Sequence, residues 1–291
     1  MILRLGLEIA DRIVAALPAR AAFALGDFGG DLWHRFAPAR RRLVTANLER
    51  VSAATGRPTR GPELRALVRA AFRNHAHYYI ELLRTPHYRP DRIDDHVVVP
   101  DWPIFDGPMR SGPAVFVSCH LGNFEPFGSY LAARGLRPLA PIEEIHPRAL
   151  FEFLATRRGI GMVDLVPVRE ARRPLLQRLR SGGVVGIIGD RDLDGDGQPV
   201  TMFGHPTTMP VGPAALAVAH RAALLVGRCL RVGPDRFVAD GELMEVPASG
   251  DRRADTAELV QRIAARFERD IGEAPEQWWG AFQPFWADLP S

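Results

Sequence analysis

Apolar residues recur at helical spacing at Leu5, Ile9, Ile13 and Leu17, with Arg4, Glu8, Asp11 and Arg12 on another side. That pattern predicts an amphipathic helix over residues 2–17, ended by Pro18. A second helical stretch, over 20–36, contains Gly29-Gly30, where a break is expected. Residues 40–51 read as a third helix. Residues 62–83 read as a fourth, with Pro62 at its start and an apolar face through Leu67, Ala71 and Tyr78. The N-terminal region, 1–85, is therefore helical and mildly cationic.

From about residue 94 the period changes. Apolar runs at 97–99, 114–119, 162–166, 184–188, 223–230 and 237–245 read as strands. Between them lie helical stretches at 124–134, 147–158, 172–180 and 212–219, with a last one at 255–271. The piece 136–142 carries Pro138 and Pro141, which suits an edge strand at best. Strands alternating with helices predict an α/β fold, a mostly parallel central sheet flanked by helices. One domain of 1–291 is expected, with 86–291 as its catalytic core. Sites in such sheets form beyond the C-terminal ends of strands. His120 and Asp190 each follow a strongly apolar run, which predicts that they share one edge.

A chain of 291 residues, 46% hydrophobic and 24% charged, has an ordinary globular composition. Disorder is expected only at the last few residues and around 248–253. Every basic residue of the +3 balance is arginine, since the chain has no lysine. Arg35 and Arg40-Arg41-Arg42 gather beside Trp33 and Phe36, a pattern suited to anionic lipid headgroups and also to a solvated helix face. No nucleic-acid partner is expected. Charge interrupts the N-terminus before a signal-peptide core forms, and no run of eighteen apolar residues exists. Cys119 and Cys229 form neither a disulfide framework nor a zinc pattern, and both are expected reduced and buried.

Chemistry concentrates in Ala114-Val-Phe-Val-Ser-Cys-His120-Leu-Gly-Asn-Phe-Glu125. A buried strand there delivers a histidine to a turn, and a glutamate follows where a helix begins. Histidine titrates near neutrality and accepts a proton from a hydroxyl; a carboxylate orients it. Asn123 fits the N-cap, and the helix start is expected to offer backbone N–H groups to an oxyanion. Gly189-Asp190-Arg191-Asp192-Leu193 forms a second charged group after a strand. The following Asp194-Gly-Asp-Gly197 lacks the full ligand series of a calcium loop, so no metal is expected. Residues 202–213, rich in Gly and Pro, suit an apolar channel wall, with His205 as a loop residue. No G-x-S-x-G elbow, phosphate-binding glycine loop or H-E-x-x-H motif is present.

These residues resemble the bacterial acyltransferases that include the late acyltransferases of lipid A synthesis and the phosphatidylinositol mannoside acyltransferases. The resemblance rests on an ordered set covering nearly the whole chain. The set is Arg41–Leu48 with its Arg-x5-Asn spacing, Ala71-Phe-Arg-Asn74 leading to Tyr79-Ile-Glu81, His120-Leu-Gly-Asn-Phe-Glu125, Gly189-Asp-Arg-Asp-Leu193, Phe203-Gly204 with Pro210-x-Gly-Pro213, and Ala274-Pro-Glu-Gln-Trp278. It implies a glycerolipid acyltransferase-like fold. It also implies that His120, supported by Glu125, deprotonates a sugar hydroxyl that attacks an acyl thioester without a covalent acyl-enzyme. Arg157 and Arg169 are then candidate phosphate or oxyanion contacts, and Asp190, Arg191, Asn123, Phe203 and Gly204 candidate lining residues. The Asp-Arg-Asp-Leu and Phe-Gly segments resemble the mannoside branch, which implies acyl-CoA as co-substrate, no bound cofactor and a glycolipid acceptor. The mannoside enzymes often carry Asp where this chain has Glu125. The alternatives are a lipid A late acyltransferase using acyl carrier protein, and a non-catalytic lipid-binding protein on the same fold. The resemblance places the protein on an anionic membrane surface, peripheral to the cytoplasmic face of the plasma membrane.

Overall fold

The computed structural model describes residues 2–159, 163–193 and 195–289. Four helices open the chain: α1 (Ile2–Ala16), α2 (Ala19–Phe36), α3 (Pro38–Ala54) and α4 (Gly61–Arg84). Pro38 and Pro62 lie in the first turns of α3 and α4, where a missing N–H leaves no bond unmade. The expected break in α2 does not occur. Gly30 instead lets α2 approach α4, because a Cβ at that position would sit 2.6 Å from Arg73 Cα. Across the same contact Asp31 accepts from Arg69 (2.6 Å) and Arg73 (2.8 Å).

The rest builds an α/β unit. Its sheet strands are β1 (Val97–Val98), β2 (Ala114–Ser118), β3 (Leu139–Ile142), β4 (Asp164–Pro167) and β5 (Val184–Ile188), joined later by β8 (Ala223–Gly233) and β9 (Arg236–Met244). A separate hairpin is formed by β6 (Gln198–Met202) and β7 (His205–Met209). The strand order is β1-β9-β8-β2-β5-β3-β4, and only the β8–β9 pair is antiparallel. The helices between are α5 (Pro103–Ser111), α6 (Phe124–Ala133), α7 (Arg148–Gly159), α8 (Arg172–Arg180), α9 (Gly212–His220) and α10 (Arg252–Glu273).

Three expectations change. First, β3 is not an edge strand but lies between β5 and β4. It pairs with β5 only at Leu139, before Pro141, so that proline interrupts no ladder there. The predicted strand at 162–166 is β4, beginning at Asp164; residue 162 lies outside the described residues. Second, His205 is not a loop residue, because 202–209 forms a hairpin. Phe203 (φ 51°) and Gly204 (φ 75°) make its two-residue turn, and His205 opens β7. Third, the loop before α10 is tied down rather than loose: Ser249 Oγ donates to Asp255 Oδ1 at 2.6 Å, and Asp251 caps the helix. Helix α5, with Gly107 and Pro108 inside it, is not among the predicted helices, although Phe105 and Met109 share its buried face.

Both faces of the sheet are covered. On one, Val44, Leu48 and Phe72 of α3 and α4 share a core with Val115, Val185, Leu259 and Phe267. On the other, Phe105, Phe116, Phe127, Tyr130 and Phe237 pack together. Each fully buried Leu or Phe contributes about 1.5–3 kcal/mol. Helices α1 and α2 bury Val14, Ala22 and Phe23 against Ile80 of α4 but turn other apolar residues outward. Leu5, Ile9 and Ile13 are exposed, as are Leu25, Phe28 (64%), Leu32 and Phe36 (70%). Asp11 of α1 is instead buried, between Arg157 (2.6 Å) and His87 (3.5 Å). Among the described residues no helix is long and apolar enough to cross a membrane.

Candidate active site

Strands β2 and β5 run parallel in register from Ala114 opposite Val184 to Ser118 opposite Ile188. Every residue of β2 is buried. The ladder continues one step beyond, where Gly189 N–H donates to Ser118 O at 2.8 Å. The next residue on each strand therefore emerges at the same edge, and there His120 meets Asp190. The imidazole Nδ1 is 2.5 Å from Asp190 Oδ1, and the His120 backbone N–H donates to Oδ2 at 2.9 Å. The carboxylate is fully buried and the imidazole only slightly exposed. With Nδ1–H given to Asp190, the neutral ring keeps its lone pair on Nε2, the tautomer of a general base.

The loop after His120 is pinned on all sides. Leu121 bridges Trp278, and Gly122 bridges Cys229 of β8. Gly122 has φ +62°, and a Cβ there would fall 2.1 Å from Cys229 O, so only glycine fits. Asn123 caps α6 through Oδ1, which accepts from Glu125 N–H at 3.0 Å. Its Nδ2 donates to Glu81 Oε2 at 2.8 Å, which fixes which way the amide faces. Glu81 is wholly buried and is also bonded by Arg231, whose guanidinium reaches Asn74 as well. Burial pushes the Glu81 carboxyl up, and the Arg231 charge opposes that shift.

This pinning overturns one expectation. The amides of His120, Leu121, Gly122, Asn123 and Glu125 all have named acceptors: Asp190, Cys119 O, Gln277 O, Cys229 O and Asn123 Oδ1. The turn therefore does not present a row of open backbone donors to an oxyanion. Glu125 itself is buried in the first turn of α6, with Tyr78 O–H donating to Oε1 at 3.5 Å. Cys119 and Cys229 are buried free thiols, and burial pushes both thiols up, away from the reactive thiolate.

Residues 5–286 match the family described as bacterial lipid A biosynthesis acyltransferase. The chain belongs to this acyltransferase family. A phosphatidylinositol mannoside acyltransferase of Mycobacterium tuberculosis (strain CDC 1551 / Oshkosh) is 33% identical to it over 234 residues, 77% of this chain and 71% of that protein. One of Mycolicibacterium smegmatis (strain ATCC 700084 / mc(2)155) is 30% identical over 298 aligned positions, 98% of this chain and 92% of that protein.

Within this acyltransferase the remaining predicted site residues separate. Asp190 and Asn123 lie in the site as described. Arg191 leaves it to donate to Glu143 at 3.2 Å. Arg157 gives its guanidinium to Asp11 on α1. Arg169 lines a surface cavity of about 530 Å³ with Arg172, Arg173 and Arg180. Phe203 packs against Trp286 at the hairpin turn, beside Gly204. Asp192 forms a turn by accepting from Gly195 and Gly197, while Asp194 lies outside the described residues.

Sequence reading missed three residues around His120. Arg231 holds Glu81, but it sits in an otherwise ordinary strand. Tyr78 was read only as part of an apolar helix face. The Trp279 indole meets the imidazole edge-on at 4.3 Å between ring centroids and stacks on Tyr78 at 4.7 Å. The signal for Trp279 was its place after Pro-Glu-Gln-Trp, a segment anchored by Asn47 Nδ2 to Ala281 O (2.8 Å) and Gln283 O (2.9 Å).

Proposed function

We propose that this acyltransferase moves a fatty acyl chain from acyl-CoA to a sugar hydroxyl of a glycolipid of the phosphatidylinositol mannoside type. The observation that carries the reading is the His120–Asp190 contact at the C-terminal sheet edge. His120 Nε2 takes the hydroxyl proton, and Asp190 holds the ring and stabilises the imidazolium. Glu125, buried in the first turn of α6, is the acidic partner that the family resemblance implies. A thioester is already activated, so a base, positioning and stabilisation of the oxyanion suffice without a covalent intermediate. The chemistry calls for no bound cofactor, since acyl-CoA is a co-substrate. Arg169 and its neighbouring arginines offer contacts for the donor's phosphates.

The acceptor class follows the mycobacterial relatives, which are phosphatidylinositol mannoside acyltransferases. The site of action is the cytoplasmic face of the plasma membrane. Exposed apolar residues of α1 and α2, with Arg35, Arg41 and Arg42 nearby, suit insertion among acyl chains beside anionic headgroups.

The test supplies purified protein with vesicles containing either a phosphatidylinositol mannoside or a lipid A precursor, each with acyl-CoA or acyl carrier protein thioester. Acylation of the mannoside from acyl-CoA is expected, with His120→Ala lowering the rate by about 10³-fold or more while folding and vesicle binding persist. Transfer only to the lipid A precursor would replace the acceptor assignment. Undiminished transfer by His120→Ala would remove the mechanism.

A further inference from the structure

A base at His120 accounts for the acceptor's proton, but not for the charge that appears on the thioester oxygen. As the hydroxyl oxygen attacks the carbonyl carbon, its proton passes to His120 Nε2 and the C=O π pair moves onto the carbonyl oxygen. Collapse re-forms C=O, breaks the C–S bond, and returns the proton from Nε2 to the departing thiolate. The intermediate oxyanion needs a donor fixed in place before reaction. The turn's amides at 120–123 and 125 are committed to other acceptors.

One donor beside His120 is not committed. Trp279 Nε1 is buried and has no hydrogen-bond partner among the described residues. Leaving a buried donor unpaired costs stability, a cost that native structures tend to keep where function uses it. Two other indoles, Trp278 and Trp286, share this lack of a partner. Those two are wholly buried in the hydrophobic core, and the Trp278 N–H lies against Gly280. Trp279 differs, because it retains partial exposure and touches the His120 ring. Its position relative to the base is fixed from both sides. Leu121 bridges Trp278, and Gly280 N–H donates to His120 O at 3.1 Å. Tyr78 stacks on the indole and limits its rotation. A donor held this way has little reorganisation left to do at the moment of reaction.

We infer that the Trp279 indole N–H receives the thioester oxygen as it becomes negative, which makes Trp279 a catalytic residue of this site. The inference rests on the acyl-transfer reading given above.

The experiment compares wild type, Trp279→Phe, and Trp279 replaced by benzothienylalanine, which keeps the bicyclic shape and lacks the N–H. Donors are an acyl-CoA thioester and its dithioester analogue, whose C=S accepts hydrogen bonds poorly. Both N–H-less proteins should lose about 10²-fold in kcat with the thioester. Their donor KM should stay within about twofold, because the contact forms in the transition state. The Tm of the benzothienylalanine protein should not fall, because removing an unpaired buried donor without changing shape relieves a cost. Wild type should prefer thioester to dithioester, and that preference should shrink in both variants. Wild-type kcat in the benzothienylalanine protein would overturn the inference, whatever Trp279→Phe does. An unchanged thioester preference in the variants would overturn it too. Absence of acyl transfer in wild type would instead remove the underlying reading, and this inference with it.

Discussion

The N-terminal helices and the site loop both reverse the usual rule of apolar inside and polar outside, but in opposite senses. Helices α1 and α2 turn Leu5, Ile9, Phe28 and Phe36 outward and bury Asp11. Around His120 the protein buries Glu81, Asn123, Glu125 and Asp190. In the first region Val14, Ala22 and Phe23 pack with Ile80 of α4, and polar contacts join them: Asp11 binds Arg157 and His87, and Arg84 donates to Val14 O and Leu17 O. Other apolar side chains of α1 and α2 stay exposed. In the second region the buried polar atoms pair with one another, and the result is a rigid mount for one imidazole. The difference teaches that a buried charge has opposite meanings in the two places. Near α1 it holds a helix down; near His120 it orients an imidazole.

The largest expected effect tests the aiming. Asp190→Asn keeps the shape but loses the negative charge beside Nδ1, and kcat should fall about 10³–10⁴-fold with little change in folding. Steady-state acyl transfer and a melting curve check this together. Unchanged kcat would mean that Asp190 is only a strut.

Next comes the mount itself. Arg231→Ala leaves Glu81 buried without its cation and should cost about 3–5 kcal/mol, read from urea denaturation. A loss below about 1 kcal/mol would show that Glu81 finds relief elsewhere.

A third test uses acidity. His75 and His77 are kept neutral mainly by burial, which lowers each from its ordinary 6.5 to about 4. The unfolded chain binds protons on them first as pH falls. Their stabilisation is therefore complete above about pH 6.5 and is lost progressively toward pH 4, by up to about 3 kcal/mol per histidine. Denaturation at pH 7.5 and pH 5 measures the slope, and His75→Phe should reduce it by about half, leaving the share of His77. An undiminished slope in that variant would assign the loss to other groups.

The smallest effects sharpen the N-terminal half of the comparison. Phe28→Ser or Phe36→Ser should each weaken partition onto anionic vesicles by about tenfold, since each removes an apolar ring from the proposed insertion face. Stability should stay within about 0.5 kcal/mol, because neither ring is part of the core. A large loss of stability, with vesicle binding intact, would show that the rings are structural.

Much of this was legible in the chain. The periodicity of 2–83 produced four helices, and the apolar runs at 114–119 and 184–188 marked the strands that end at His120 and Asp190. The ordered motifs pointed to the family that residues 5–286 match. Local periodicity, though, reports only which residues share a face, not what that face meets. Nothing in the α1 pattern says that Asp11 turns inward, because that depends on Arg157 and His87 arriving from α7 and the segment after α4.

The same limit explains the site. Its contacts join residues far apart in sequence: Asp190 reaches His120 because β2 and β5 are neighbours although two strands separate them in the chain. Arg231 reaches Glu81 across 150 positions. The sequence alone determined most of the helices and strands, the histidine that follows β2, and the family, since these are written in local pattern and residue type. The tertiary structure decided which carboxylate holds His120, which amides are already taken, and which side of α1 and α2 faces out. Those are matters of adjacency, set by strand order and by packing between distant segments.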